Sequence, residues 1–200
     1  QVRTQVRSFL DEAAAADWND SELTTLINQR YHRLYSAVAN VFEDYKITTS
    51  FDSLVANQQE YTLPTDLYKL RRVEVNYDIS NSNSNFQRVT PFTGLDAIRT
   101  RLAETNIGSN LFRQPGYYVT GLKIGLLPIP TSSGTNAIKY WYVPVLTELS
   151  ADADLIDIPY PDRYWHIIAE GATADALRFG QQESSEADKF DQKFVAGILL

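Results

Sequence analysis

The chain has 200 residues, 44% hydrophobic and 22% charged, with 12 Tyr, 9 Phe and no Cys. That size and balance fit one domain, or one domain with an insertion, and exclude a disordered chain, a disulfide framework, a thiolate metal site and a cysteine nucleophile. A formal net charge of −7 excludes a generic nucleic-acid binder, because affinity for DNA comes largely from Lys and Arg that displace counterions from phosphates.

No apolar run reaches the ~18 residues of a membrane-spanning helix, and the start QVRTQVRSFL lacks the apolar segment of a signal peptide, so no membrane partner is expected. Methionine is absent, position 1 included. An initiator Met before a bulky Gln is normally retained, so the chain is expected to begin inside a longer product.

Val2, Val6, Phe9, Leu10 and Ala13 recur at helical spacing and predict an amphipathic helix over 2–16. A second start is marked more sharply. Asn19 can cap, Glu22 stands three residues on, and Trp18 can pack on Leu23 as a hydrophobic staple. Leu23, Leu26, Ile27, Leu34, Val38, Val41, Phe42 and Tyr45 then stripe one face of a long helix over 20–45. After Lys46 the period changes to that of strands: 47–51, 59–63 with Asn57-Gln58 as a loop, and 67–79, where Arg71-Arg72 breaks the alternation and calls for a bulge. The polar run 80–85 reads as a hairpin tip, and 86–91 returns as a strand. A short helix over 95–102, a long loop, a hairpin within YYVTGLKIGLLPIP and a strand in AIKYWYVPV follow.

The end turns helical again. Pro161 pre-sets a first turn, and Trp165, Ile168, Ala172, Ala176 and Phe179 share one face up to Gly180. The small residues Ala169, Gly171, Ala172 and Ala174 would let another helix approach closely. A last helix starts near Ser185 and carries Phe190, Phe194 and Ile198. The expected fold class is α+β: a helical bundle from N- and C-terminal helices (1–46 and 159–200) with an inserted antiparallel β domain (47–158).

No catalytic motif stands out. His32 and His166 lie on separate helices without zinc spacing, and Asp152, Asp154 and Asp157 lack the Gly and terminal Glu of an EF-hand. The glycines form neither a phosphate-binding loop nor a dinucleotide fingerprint, and no G-x-S-x-G elbow occurs. Neither metal nor cofactor is expected, and no enzymatic activity. A carbohydrate-binding module could use the 12 Tyr and 3 Trp as a sugar platform, but most of these sit at periodic core positions.

Three segments in order, W-x-D-x-E-L-x-x-L-I-N at Trp18 to Asn28, E-Y-x-L-P-x-D-L-x-K-L-R-R-V-E-V at Glu60 to Val75, and Q-P-x-Y-Y-V at Gln114 to Val119, resemble phage head-to-tail adaptor proteins. GLLPIP, a Tyr-Val-Pro strand, IDIPYPDRYWHIIAEGATADAL and the Phe-bearing last helix extend the likeness over nearly the whole chain. The resemblance implies a homo-oligomeric, dodecameric ring beneath the portal protein, joined to a tail or nozzle protein, through which DNA passes without specific binding. Another connector layer, a stopper or tail-completion protein, is the alternative. The apolar Phe190, Phe194, Ile198, Leu199 and Leu200 are the candidate portal or subunit interface. Asn81, Ser82, Asn83, Ser84 and Asn85 are the candidate exposed loop for tail contact.

Overall fold

The computed structural model describes residues 1–12, 17–42, 44–77, 85–92, 115–151, 154, 156, 158, 161–180 and 184–198, without the side chains of 161–163 and 184. The chain is α+β, with helices toward both ends. It divides into two compact units, residues 1–45 with 146–200 and residues 46–145.

The first unit contains α1 (Val2–Phe9), α2 (Asp20–Val41), α3 (Pro161–Phe179) and α4 (Ser184–Ile198). α1 is shorter than its periodicity predicts: the backbone leaves the helix at Leu10, and Asp11 takes φ +52. Beyond it, polar bonds hold the connection. Glu12 Oε1 accepts the backbone N–H groups of Asp17 and Trp18 at 2.7 and 3.0 Å. Arg7 donates to Glu12 Oε2, the Trp18 carbonyl and Asp20 at 3.0, 3.0 and 2.6 Å.

α2 opens on the expected capping box. Asn19 Oδ1 accepts the Glu22 N–H at 2.9 Å while Glu22 Oε2 accepts the Asn19 N–H at 3.0 Å, satisfying two donors that every helix start leaves open. The helix stops at Val41, short of 45, so the end of its predicted stripe is not core. Val41 and Phe42 are 72% and 55% exposed. Leu23, Leu26, Ile27, Leu34 and Val38 are buried, as are Ile168 and Ala172. Trp165 is only half-buried and Phe179 is 71% exposed.

The small face of α3 is packed to contact. Ala169, Gly171, Ala172 and Ala174 are buried, and a Cβ at Gly171 would stand 2.7 Å from the Phe194 ring and 2.9 Å from Arg30 Cδ. A Cβ at Gly197 would stand 2.5 Å from Ile167. Between α2, α3 and α4 lies a buried cation. Arg30 forks onto Asp175 with bonds of 2.6 and 2.5 Å and reaches Asp191 at 2.6 Å, its guanidinium 4.8 Å from the centre of the Phe194 ring. Asp191 also takes Arg178 at 3.3 Å. Burial alone would raise the Asp191 carboxyl, but the bonds and charges of Arg30 and Arg178 outweigh it and hold the group below its usual range.

The second unit is a seven-stranded sheet of β1 (Thr48–Leu54), β2 (Glu60–Thr62), β3 (Leu67–Val75), β4 (Gln87–Pro91), β5 (Gly116–Thr120), β6 (Lys123–Leu127) and β7 (Gly134–Pro144). Its order is β1-β7-β3-β4-β5-β6-β2. The expectation of an antiparallel domain is corrected here, because β4 and β5 run parallel, Thr90 opposite Gly116 and Pro91 opposite Tyr117. A parallel pair needs a crossover of about a dozen residues or more, and the connection from 92 to 115 is long enough for one. The sheet curls, so that one core gathers residues from all seven strands, including Leu54, Tyr61, Val73, Val89, Tyr117, Ile124 and Tyr140.

The bulge expected at the double Arg is present: pairing with β7 shifts between Leu70 and Arg72, and Val73 and Val75 point inward beyond it. Gly121, at φ +59, opens the two-residue turn between β5 and β6, a conformation glycine adopts without strain. Gly125 lies under the Tyr118 ring, which fills the space a Cβ would need. The Tyr61 hydroxyl clasps the β1–β2 loop, donating toward the carbonyls of Val55 and Gln58 at 3.1 and 3.0 Å and accepting the Val55 N–H at 3.2 Å. Tyr142 donates to Asp66 at 2.8 Å. Burial, then this bond and the Asp66 charge, pushes the Tyr142 hydroxyl up to about 12. The expected short helix over 95–102 lies outside the described residues.

These packing centres have three measurable consequences. Arg30→Leu strands two carboxylates and is expected to cost about 3 kcal/mol in chemical denaturation. Asp191 contributes stability that is present above its unfolded pKa, about 3.9, and lost as pH falls through the lower folded value. Asp191→Asn should therefore flatten the acid limb of the stability profile. At the alkaline end the sign reverses. Tyr142 contributes stability that is full below its unfolded pKa of about 10 and lost as pH rises toward its folded value. Thermal melts of Tyr142→Phe between pH 9 and 12 should show a shallower decline than those of the parent chain.

Candidate interaction surfaces

Among the described residues no group of three His, Asp or Glu is placed to hold a metal ion. His32 meets Glu148 at 3.4 Å, and the exposed His166 stands edge-on to Trp165 at 6.2 Å between ring centres. Asp154 is committed locally. It accepts the backbone N–H groups of Ser150 and Ala151 at 2.6 and 2.8 Å, which hold its carboxyl below the usual value. Asp152 and Asp157 lie outside the described residues.

The segments with recognisable order serve as fasteners. Asn28 clasps the backbone of Leu149 through two 2.9 Å bonds, donating to its carbonyl and accepting its N–H. Glu60 meets Tyr118 at 3.4 Å and Lys123 at 3.5 Å. Asp66 holds Tyr142, and Glu74 accepts Trp141 Nε1 at 2.8 Å. A stretch such as EYTLPTDLYKLRRVEV is thus a scaffold pattern: its polar positions tie strands together and its aliphatic ones fill the core.

The candidate interface residues separate. Phe194 is fully buried beneath Arg30 and against Gly171, so it belongs to the interior of its own subunit. That part of the expected interface is corrected. Phe190 is half-buried, its ring 5.3 Å from that of Phe9, and borders a surface groove with Glu186, Lys189, Gln192, Lys193 and Ala196. Ile198 is half-buried. Leu199 and Leu200 lie outside the described residues, as do Asn81, Ser82, Asn83 and Ser84. Asn85 is exposed just ahead of β4.

Sequence reasoning missed other surfaces. Val119 and Leu122 are 50% and 82% exposed at the tip of the β5–β6 hairpin. On the outer side of the sheet, register places Phe51, Lys139, Glu74 and Arg88 in a row across β1, β7, β3 and β4. Phe86 packs over this row, its ring 6.1 Å from Phe51. Lys139 Nζ lies 4.1 Å from the centre of the Trp141 ring and 5.5 Å from that of Phe51. The signal available beforehand was strict alternation: Phe51 and Lys139 have the opposite parity to the buried Leu54 and Tyr140.

Charge is divided as sharply as fold. Residues 1–45 with 146–200 carry eight basic against eighteen acidic residues, a net of −10, and residues 46–145 carry ten against seven, a net of +3. No helix among the described residues is long and apolar enough to cross a membrane.

The family model described as SU10 adaptor protein matches residues 1–199. No curated relative matches the sequence. A match from the first residue to the last but one takes in both units, every described strand and helix, and all three ordered segments, so the chain belongs to the SU10 adaptor protein family, a family of phage adaptor proteins.

Proposed function

We propose that the chain is a structural head-to-tail adaptor that docks beneath the portal as a ring of copies, connects capsid to tail at the head–tail junction of the virion and lines the DNA exit channel. The observation that carries this reading is the family match over residues 1–199. Adaptors of this kind work by contact with other phage head and tail proteins, and a cyclic ring needs two different patches on each copy rather than an active site. The dodecameric ring and the partners, portal on one side and tail or nozzle protein on the other, come from the resemblance to phage head-to-tail adaptors.

The division of charge supports the conduit. A unit of net −10 repels phosphates, so DNA meets no specific hold where such walls line its path. With Phe194 buried, the proposed portal contact falls to Phe190, Ile198, Leu199 and Leu200. The polar run Asn81 to Asn85 is assigned to the tail side.

Native mass spectrometry of the full chain mixed with assembled portal tests this reading. A ring of about twelve copies on the portal is expected. A chain that stays monomeric and leaves the portal bare overturns it. Removing residues 198–200 keeps Phe194 in place. It should preserve the thermal melt while weakening portal binding about tenfold or more, and unchanged affinity would remove the docking role from the terminus.

A further inference from the structure

The outer face of the sheet combines features that a free surface rarely keeps together. Phe51 is 47% exposed, Phe86 and Trp141 are half-buried beside it, and Lys139 hangs over two of these rings. Glu74 is already committed to Trp141 and to Arg72. Among the described residues no carboxylate pairs with Lys139 or Arg88, although both sit in a chain with 25 acidic residues. An aromatic patch rimmed by two cations with no carboxylate partner among the described residues fits a surface that supplies carboxylates.

The same chain carries a unit rich in carboxylates. Its helical unit has a net charge of −10 against +3 for the β unit. Asp11, Asp17 and Glu186 are exposed on it, beside Asp20, Glu148 and Asp188, which stay 60%, 69% and 61% exposed although each meets a basic side chain of the same unit. A head-to-tail ring contact needs two different, complementary patches on each subunit, and opposite charge is one form that complementarity takes. We propose that the Phe51, Phe86, Lys139, Trp141 and Arg88 face of one copy docks on the acidic helical unit of the neighbouring copy. The proposal rests on the ring reading above and deepens it by naming the surfaces that meet.

Carbodiimide coupling, which joins an amine to a carboxylate only in direct contact, tests it on full-length rings assembled on portal from a mixture of isotopically light and heavy chains. Lys139 is expected to couple to carboxylates of residues 1–45 or 146–200 in mixed light–heavy pairs. Coupling only within one chain, coupling only to portal, or none at all overturns the proposal while leaving the ring intact. Lys139→Glu is expected to keep the melting behaviour of the parent and to raise the dissociation constant between copies about tenfold or more, with the difference shrinking at high salt. A folded Lys139→Glu chain that assembles normally but loses retention of double-stranded DNA would assign the face to nucleic acid and overturn the proposal. Where the parent chain forms no ring on portal, the ring reading itself fails, and this one with it.

Discussion

A single buried guanidinium sets the terms for the helical unit. Removing an Arg from water costs several kcal/mol unless its donors are answered, and at Arg30 they are answered by α3 through Asp175 and by α4 through Asp191. A planar fork can satisfy both carboxylates at once, where a Lys ammonium would be a point charge between them. The other packing choices follow from where that side chain runs. Its stem occupies the space a Cβ at Gly171 would need, and its face lies on Phe194. Three helices are therefore held at one separation and one rotation by the same group.

The β unit is fastened differently. Its core is continuous because the sheet curls, and its loops and strand ends are tied by phenols and carboxylates: Tyr61 over the β1–β2 loop, Tyr142 on Asp66, Trp141 on Glu74. Tyr140 lies in the core and Tyr77 packs against it, so these rings act as hydrophobic filling, and burial pushes their hydroxyls well up from the usual value. Aromatic content that composition alone would allow as a sugar platform is spent on holding the sheet together.

Local signals were legible and long-range ones were not. Asn19 and Glu22 announce a helix start because a capping box needs only four residues. The double Arg announces a bulge because alternation fails there, and the small residues of α3 announce a close approach because nothing else tolerates one. Helix ends were misjudged where apolar spacing continued past the last hydrogen-bonded turn, as at Val41 and Phe42. The parallel β4–β5 pairing left no mark, since the residues that choose it are far apart in sequence. Phe194 looked like a surface anchor for the same reason. Its partner Arg30 stands on another helix, and a charged residue gives no hint from sequence that it will be buried. The outer aromatic face went unread: 47–51 reads as a strand, but which side of it Phe51 takes depends on its pairing with β7.

The pairing of Arg30 with residues 145 and 161 positions further on also sets an order of events during synthesis. Residues 46–145 can close their sheet while the ribosome is still translating, because β7 supplies the strand between β1 and β3 before the last helices exist. α1 and α2 emerge before the sheet but are completed after it, since a loop of well over a hundred residues must close before the contact that stabilises them forms. A product cut short before Asp191 carries a finished sheet beside helices whose central cation is only partly answered. The helical unit is thus completed only once Asp191 has been made, well after the sheet can close.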